Sequence, residues 1–330
     1  MTKNTLVTGA SGFIGSHVVE NLVRKDYRVR CLVRKSSNID YLKRLNVEFV
    51  YGDLRDKESL KKAVRDVDIV YHLGAVLGGY GTSKELQYDV NVNGTRNILE
   101  ESFKNNVKKF IHFSTFAVYG YTKPIANEET PQKGLASSYA LSKRKGEGVV
   151  KEFINKDMDV TIIQPTVIHG ERLDFGIKNM FSAIQNGKFR FIGSGNNLLH
   201  LGYIDNFIDG LFLASESKKS KGQTYIIGDD GPLSFRIIVE EIAEILNVNI
   251  PKLSVPEKIA RKAIPAFKIL AKLTKNKQPV LTNHRINFMT KNQAGSIEKA
   301  KRELGYKPKI SSKEGLRRTI EHFRKMGFLK

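Results

Sequence analysis

The chain has one cysteine, Cys31, in 330 residues. No intramolecular disulfide can form, so the core alone must hold the fold, as suits a reducing compartment. No apolar run approaches the roughly 20 residues that a bilayer-spanning helix needs. Zinc-ligand spacings, aromatic RNA-binding motifs and a basic arm are missing, so nucleic acid is not an expected partner. Acidic residues are scarce as well: 34 Asp and Glu stand against 55 Lys and Arg, a formal charge of +21. That excess suits an anionic substrate, cofactor or lipid surface, or simply a solvated basic face. Hydrophobic residues at 40% with charged residues at 27% argue for a soluble globular chain and against disorder. The opening MTKNTLVTGASGFIGSHVV has an apolar part broken by Gly and Ser, with no small-residue cleavage site behind it. No secretory leader is expected, and the expected location is cytoplasmic.

What the sequence does contain starts at once. TLVTGASGFIGSHVVENLVRK reads as a strand, a glycine turn and a helix. Gly9 permits a tight turn, Gly12 lets the backbone approach a pyrophosphate, and Gly15 allows close helix–strand packing. The helix N-terminus offers N–H groups to the phosphates, and Ser11, Phe13 and Ile14 share that turn. A strand before and a helix after make this glycine triplet a dinucleotide-binding (Rossmann) fingerprint.

YRVRCLVRKSSN gives a second strand. Where an NAD-specific unit carries Asp or Glu for the ribose 2′-hydroxyl, this chain has Arg34 and Lys35 followed by Ser36 and Ser37. A guanidinium beside hydroxyls suits a 2′-phosphate, so NADP(H) is favoured. NAD(H) stays open, because Arg34 can stack on adenine and Asp40 can reach the ribose. A third strand ends at Asp53 and Leu54, placed for adenine. A fourth ends His72-Leu73-Gly74-Ala75, where small residues let a dinucleotide lie against the backbone.

KKFIHFSTFAVYG is a fifth apolar strand that delivers two hydroxyls, Ser114 and Thr115. SSYALSKRKGEGVVKEF is a helix with Tyr139 and Lys143 four apart, hence on one face. An ammonium one turn from a phenol favours the phenolate, which equips Tyr139 as an acid/base toward an alcohol or ketone.

Together TGASGFIG, Asp53-Leu54, HLGA, NVNGTRNIL, FSTFAVYG and YALSK resemble the extended short-chain dehydrogenase/reductase superfamily, which includes epimerases, dehydratases, 3β-hydroxysteroid dehydrogenases and flavanol-type reductases. The resemblance runs from about residue 5 to 230, and KAKRELGYKPKISSKEGLRRTIEHF looks like the usual tail. It implies an enzyme with Tyr139 as acid/base and Lys143 on the nicotinamide ribose, where it lowers the tyrosine pKa. Thr115 would orient the substrate oxygen, with Ser114 as the second candidate. Asn93 would hold helix geometry or a water near the lysine. Gln164, Pro165, Thr166 and Val167 would face the carboxamide end of the nicotinamide. A homodimer through the YxxxK helix is also implied.

The chain departs from the sugar-nucleotide branch in particular places. Where 4,6-dehydratases of the superfamily carry Asp-Glu after the threonine, this chain has Phe116 and Ala117, which carry no proton for dehydration. Val167 and Leu199 stand where epimerases usually contact a diphosphate with Asn and Arg. Arg172, Lys178, Lys188 and Arg190 remain alternative phosphate contacts. The 3β-hydroxysteroid dehydrogenase and flavanol-type reductase branch looks closer. The expected fold is an α/β Rossmann doubly wound parallel sheet with a smaller C-terminal substrate lobe. Residues 1–167 form the NAD(P)-binding domain, rejoined by about 203–228, and 168–202 with 229–330 form the lobe. The expected activity is NAD(P)-dependent hydride transfer with a largely apolar or ring alcohol or ketone; the alternative is a nucleoside-diphosphate-sugar epimerase with tightly bound NAD. Residues 256–277, PEKIARKAIPAFKILAKLTKNK, form a basic amphipathic helix with Pro265 inside it, either a lid on the substrate pocket or a peripheral membrane contact.

Overall fold

The computed structural model describes residues 2–78, 81–132, 137–173, 177–273 and 279–330, without the side chain of Lys178. The end of the basic segment, 274–277, and the Lys178 phosphate contact therefore lie outside what is described.

The first half alternates strand and helix: β1 (Asn4–Thr8), α1 (Phe13–Arg24), β2 (Arg28–Val33), β3 (Glu48–Tyr51), α2 (Lys57–Ala63), β4 (Ile69–His72), α3 (Lys84–Tyr88), α4 (Thr95–Lys104), β5 (Lys109–Phe113), α5 (Ser138–Ile154) and β6 (Val160–Pro165). Short connections and period-mixed apolar runs leave one solution, parallel strands with helices on both faces. The second half is more broken: β7 (Val167–His169), α6 (Ile177–Gln185), β8 (Phe191–Ile192), β9 (Leu198–Leu199), β10 (Leu201–Tyr203), α7 (Ile204–Glu216), β11 (Thr224–Ile227), β12 (Leu233–Ser234), α8 (Phe235–Leu246), β13 (Ser254–Val255), α9 (Glu257–Leu273), α10 (Asn283–Thr290), α11 (Glu298–Leu304) and α12 (Ser312–Lys325).

Seven strands make one sheet, in the order β11-β6-β5-β4-β1-β2-β3. Every neighbour pair is parallel. Strands such as β4, β5 and β6 are buried along their whole length, which their near-continuous apolar sequence requires. The chain direction across the sheet reverses between β1 and β4, where Thr8 stands beside His72. A crevice opens at such a reversal, at the carboxyl ends of the strands.

Two clusters of buried side chains cover the two faces of the sheet. A third lies under α6, α8 and α12, where Phe181, Phe191, Phe235 and Phe323 meet. Three two-stranded pieces, β7 with β10, β9 with β12 and β8 with β13, stiffen this region beside the crevice. Ile192, Ala260, Ile264 and Ile286 form a small fourth cluster that ties α9 and α10 to β8.

Candidate active site

The glycine turn leads directly from β1. Gly9 has φ +71°, and a Cβ there would stand 2.7 Å from Gly74 N. At Gly15 a Cβ would fall 2.1 Å from Gly9 O, so the fingerprint spacing is a packing requirement of this turn. Gly12 N donates to Gly9 O at 3.0 Å, and Gly12 caps α1. The first N–H groups of α1 have no intrahelical acceptor, and no acidic residue sits in its first turn. That is an anion site of the right shape for a pyrophosphate. Ser11 and Gly12 are exposed there, whereas Phe13 and Ile14 are partly buried against the core.

At the end of β2, Arg34 and Ser37 close a turn: Arg34 N donates to Ser37 Oγ at 3.1 Å and Ser37 N to Arg34 O at 2.9 Å. The side chains of Arg34 and Lys35 are exposed. Asp53 is clasped by Arg55, with Nε and Nη2 donating at 2.9 and 3.0 Å; Arg55 holds its carboxyl below the usual range. Leu54 is buried, and a Cβ on Gly74 would come within 2.9 Å of its methyl group. Gly74 N donates to Thr8 Oγ1 at 3.0 Å, so the Leu73–Ala75 backbone is fixed to β1.

The reactive side chains come from β5 and α5. Ser137, two residues before Tyr139, caps α5 by accepting from Ala140 N at 3.1 Å. Thr115 caps the short turn Phe116–Tyr119, its Oγ1 accepting from Ala117 N at 3.2 Å. Burial pushes the Tyr139 phenol up to about 12, against the lowering influence of the Thr115 hydroxyl. Lys143 is buried one turn on, and its Nζ donates to Phe113 O at 2.5 Å. Burial pulls its pKa down to about 8, while Glu147 acts to raise it.

Asn93 does not occupy the position expected of it. It is exposed and donates to Asp89 Oδ1 at 3.2 Å. Its neighbour in the same motif, Asn91, points inward instead. Asn91 Oδ1 accepts from Val76 N at 2.7 Å, and its Nδ2 donates to Val76 O at 3.0 Å and Ser142 Oγ at 2.9 Å. Ser142 Oγ in turn donates to Tyr139 O at 2.8 Å. The cause is the backbone: residues 89–94 form a wider π-helical turn, so side-chain directions there do not follow ordinary helix spacing.

Behind Lys143 lies a buried network that the motifs did not announce. Gln164 Nε2 donates to Glu147 Oε1 at 2.8 Å, Gln132 Nε2 to Glu147 Oε2 at 2.7 Å, and Tyr119 Oη to Gln164 Oε1 at 2.8 Å. Glu147 follows Lys143 at the same four-residue spacing by which Lys143 follows Tyr139; that spacing was its one sequence signal. His72 is held between Thr8 Oγ1 at 2.8 Å and Thr95 Oγ1 at 3.1 Å, and burial keeps it neutral with a pKa of about 3. Ser114 Oγ and Thr166 Oγ1, at the ends of β5 and β6, are buried with no hydrogen-bond partner among the described residues. Orphaned hydroxyls at the strand ends, with the phosphate turn across the crevice, fit a nicotinamide dinucleotide.

The residues that depart from the sugar-nucleotide pattern are packed to different degrees, with Ala117 and Val167 half-buried. Phe116 is buried, its ring centre 5.3 Å from that of Tyr119 with the planes tilted by 42°. Val167 pairs with Leu201, while Leu199 is buried in the third cluster. His200 is buried, and both its ring nitrogens are taken by backbone carbonyls, Gly295 O at 2.7 Å and Asp229 O at 2.8 Å. Arg190 Nη1 donates to Gly187 O and Phe189 O, and Arg172 stacks on Tyr41 at 4.1 Å. Lys188 is exposed.

Comparison with known proteins places the chain in a family. Residues 5–228 match the NAD dependent epimerase/dehydratase family. An N-acetyl-alpha-D-glucosaminyl-diphospho-ditrans,octacis-undecaprenol 4-epimerase of Escherichia coli O157:H7 is 31% identical over 325 residues, covering 98% of this chain and 96% of that protein. The human sterol-4-alpha-carboxylate 3-dehydrogenase, decarboxylating (Homo sapiens), is 29% identical over 337 residues, covering 98% and 88%. The crystal structure of UDP-glucuronic acid 4-epimerase from Bacillus cereus in complex with NAD superposes with a TM-score of 0.78 at 25% identity, covering 98% and 99%. The relatives are dehydrogenases and epimerases, so the chain is an enzyme of the extended short-chain dehydrogenase/reductase type; it belongs to the NAD dependent epimerase/dehydratase family.

Proposed function

We propose that the protein transfers hydride between a nicotinamide cofactor and a secondary alcohol or ketone carbon on a substrate bearing a bulky hydrocarbon group. One observation carries this reading: apolar Phe116, Ala117, Val167 and Leu199 stand where sugar-nucleotide enzymes of the superfamily place polar groups. A diphosphate beside Val167 and Leu199 would lose hydrogen-bond partners without compensation, and Phe116 and Ala117 carry no proton for dehydration. The sterol dehydrogenase supports it too, and the compound named for the Escherichia coli epimerase shares the bulky hydrocarbon, there carried on a diphosphate-linked sugar.

The nicotinamide ring supplies or accepts the hydride when bound. Thr115 Oγ holds the substrate oxygen. Tyr139 gives it a proton in the reductive direction and removes one in the oxidative direction. With a pKa of about 12 the phenol is protonated at neutral pH, which is the form that ketone reduction needs. Lys143, mostly ammonium at neutral pH with a pKa of about 8, holds the ribose and favours the phenolate for oxidation. Gly9, Gly12 and Gly15 cradle the pyrophosphate. Arg34, with no acidic residue at the end of β2, favours NADP(H) over NAD(H). Residues 168–202 and 229–330 make the substrate lobe, and α5 offers its outer face to a homodimer.

A second reading has one observation of its own, the 31% identity to the undecaprenol-linked 4-epimerase. There Thr115, Tyr139 and Lys143 would act twice, with no net change in cofactor. The test supplies the enzyme separately with a 3β-hydroxysterol, a polyprenyl-diphosphate-linked sugar and a UDP-sugar, with NAD or NADP, and follows both reduced cofactor and product. Net cofactor reduction with the sterol supports a dehydrogenase. Conversion of the lipid-linked sugar without net reduction supports the epimerase. Preferred turnover of the UDP-sugar refutes the hydrocarbon requirement. Tyr139→Phe should lower turnover by about a hundredfold or more and leave cofactor affinity unchanged.

A further inference from the structure

Helix α9 is apolar on two opposite sides. Ala260, Ile264 and Ala271 are buried, and the first two pack with Ile192 and Ile286. At about 3.6 residues per turn, Ile259, Ala266, Ile269 and Leu273 fall on the opposite side, with the exposed Lys262 among them, its long stem able to carry the ammonium outward. Ile259, Ile269 and Leu273 are 59%, 60% and 76% exposed, and the flanking Leu253 and Val280 reach 61% and 65%. Among the described residues, no large apolar side chain elsewhere in the chain exceeds 59%. A globular helix normally buries one stripe and wets the rest, so a second apolar stripe marks a surface that something covers.

The charges around it say what. Lys258, Lys262, Lys268 and Lys272 are exposed on the same helix. Its single carboxylate, Glu257, is already engaged by Arg261 at 2.6 Å and Lys291 at 3.5 Å. A second copy docked on this face by a two-fold axis would bring lysines against lysines. An anionic surface meets both features at once, since the stripe enters the acyl boundary and the lysines stay among the headgroups. We infer that α9 and its flanks dock the protein on the surface of an anionic lipid bilayer.

The location gives this docking a use. Helix α10 packs on α9 through Ile286, and Asn287 Nδ2 donates to Tyr121 Oη at 2.7 Å, in the loop just after the Thr115 turn. One helix pair thus links the docking face to the loop that follows Thr115. A hydrocarbon-bearing substrate would reach Thr115 and Tyr139 from the bilayer side. The docking itself stands without that reading, because it rests on exposure and charge alone.

Co-sedimentation of the full chain with phosphatidylcholine vesicles, and with vesicles one-third phosphatidylglycerol, tests it at low and high salt. Binding to the anionic vesicles only, weakened by salt, is expected. Lys258→Gln, Lys262→Gln, Lys268→Gln and Lys272→Gln combined should weaken it by about tenfold or more. Ile259→Ser, Ile269→Ser and Leu273→Ser combined should abolish it while thermal melting stays unchanged, since these side chains are exposed. The chain contains no tryptophan. Leu273→Trp therefore adds a single fluorophore whose emission should shift to the blue on anionic vesicles. No pelleting, equal pelleting with both vesicle types, or an unmoved emission would overturn the inference. So would self-association in the absence of lipid that the triple serine variant removes.

Discussion

Replacing one buried carboxylate, Glu147→Gln, should change when Lys143 carries its charge. The ammonium sits in a desolvated site that pulls its pKa to about 8, and Glu147, one turn further along α5, acts in the opposite direction. Side chains four apart on a helix lie roughly 6 Å from each other. At an effective dielectric constant of about 20, opposite charges at that distance attract by about 3 kcal/mol, or about two pH units. Glutamine keeps the shape and one acceptor for Gln132 or Gln164 but loses the charge. Lys143 should then lose its proton about two pH units lower. The cofactor ribose is held by the ammonium form, so affinity falls as pH rises through the lysine pKa of the free enzyme. NADH titrations followed by fluorescence should show wild-type affinity level up to about pH 8 and weakening above it. The variant should begin to weaken near about pH 6 and regain wild-type affinity below that. Glu147→Asp, which keeps the charge, should stay closer to wild type. Superimposable pH profiles for wild type and Glu147→Gln, with melting temperatures equal, would refute the role given to Glu147.

Gly15→Ala forces a methyl group into the Gly9 carbonyl, where the Cβ would stand 2.1 Å away. It should cost about 1–3 kcal/mol in a denaturant titration and raise the cofactor Kd at least about tenfold by calorimetry; a variant with wild-type Kd would show that the turn does not bind phosphate. Arg34→Glu should reduce the ratio of NADPH to NADH affinity by about tenfold or more, as loss of a charge-assisted bond predicts. An unchanged ratio in paired binding titrations would remove Arg34 from the ribose end.

Several features follow from the sequence alone because their causes are local. The glycine spacing states a steric condition within fifteen residues, and the Tyr139–Lys143 spacing places both side chains on one helix face. The strand runs are apolar on both sides because both faces of the sheet are covered. The absence of carboxylates at Phe116 and Ala117 needs no coordinates to limit the chemistry. Other features arise from parts of the chain that meet only in the fold. Asn91 replaces Asn93 as the inward residue because a π-helical turn rotates the motif, and its partners are Val76 and Ser142. Glu147 matters because Gln132 and Gln164 converge on it from other segments. His200, which the sequence alone leaves free to act, is closed off because the Asp229 and Gly295 carbonyls take both its ring nitrogens. The basic segment reads as amphipathic in either setting, but only packing against Ile192 and Ile286 decides which of its apolar sides is buried and which is left facing outward. Periodicity fixes which residues share a face; the tertiary contacts decide what that face meets.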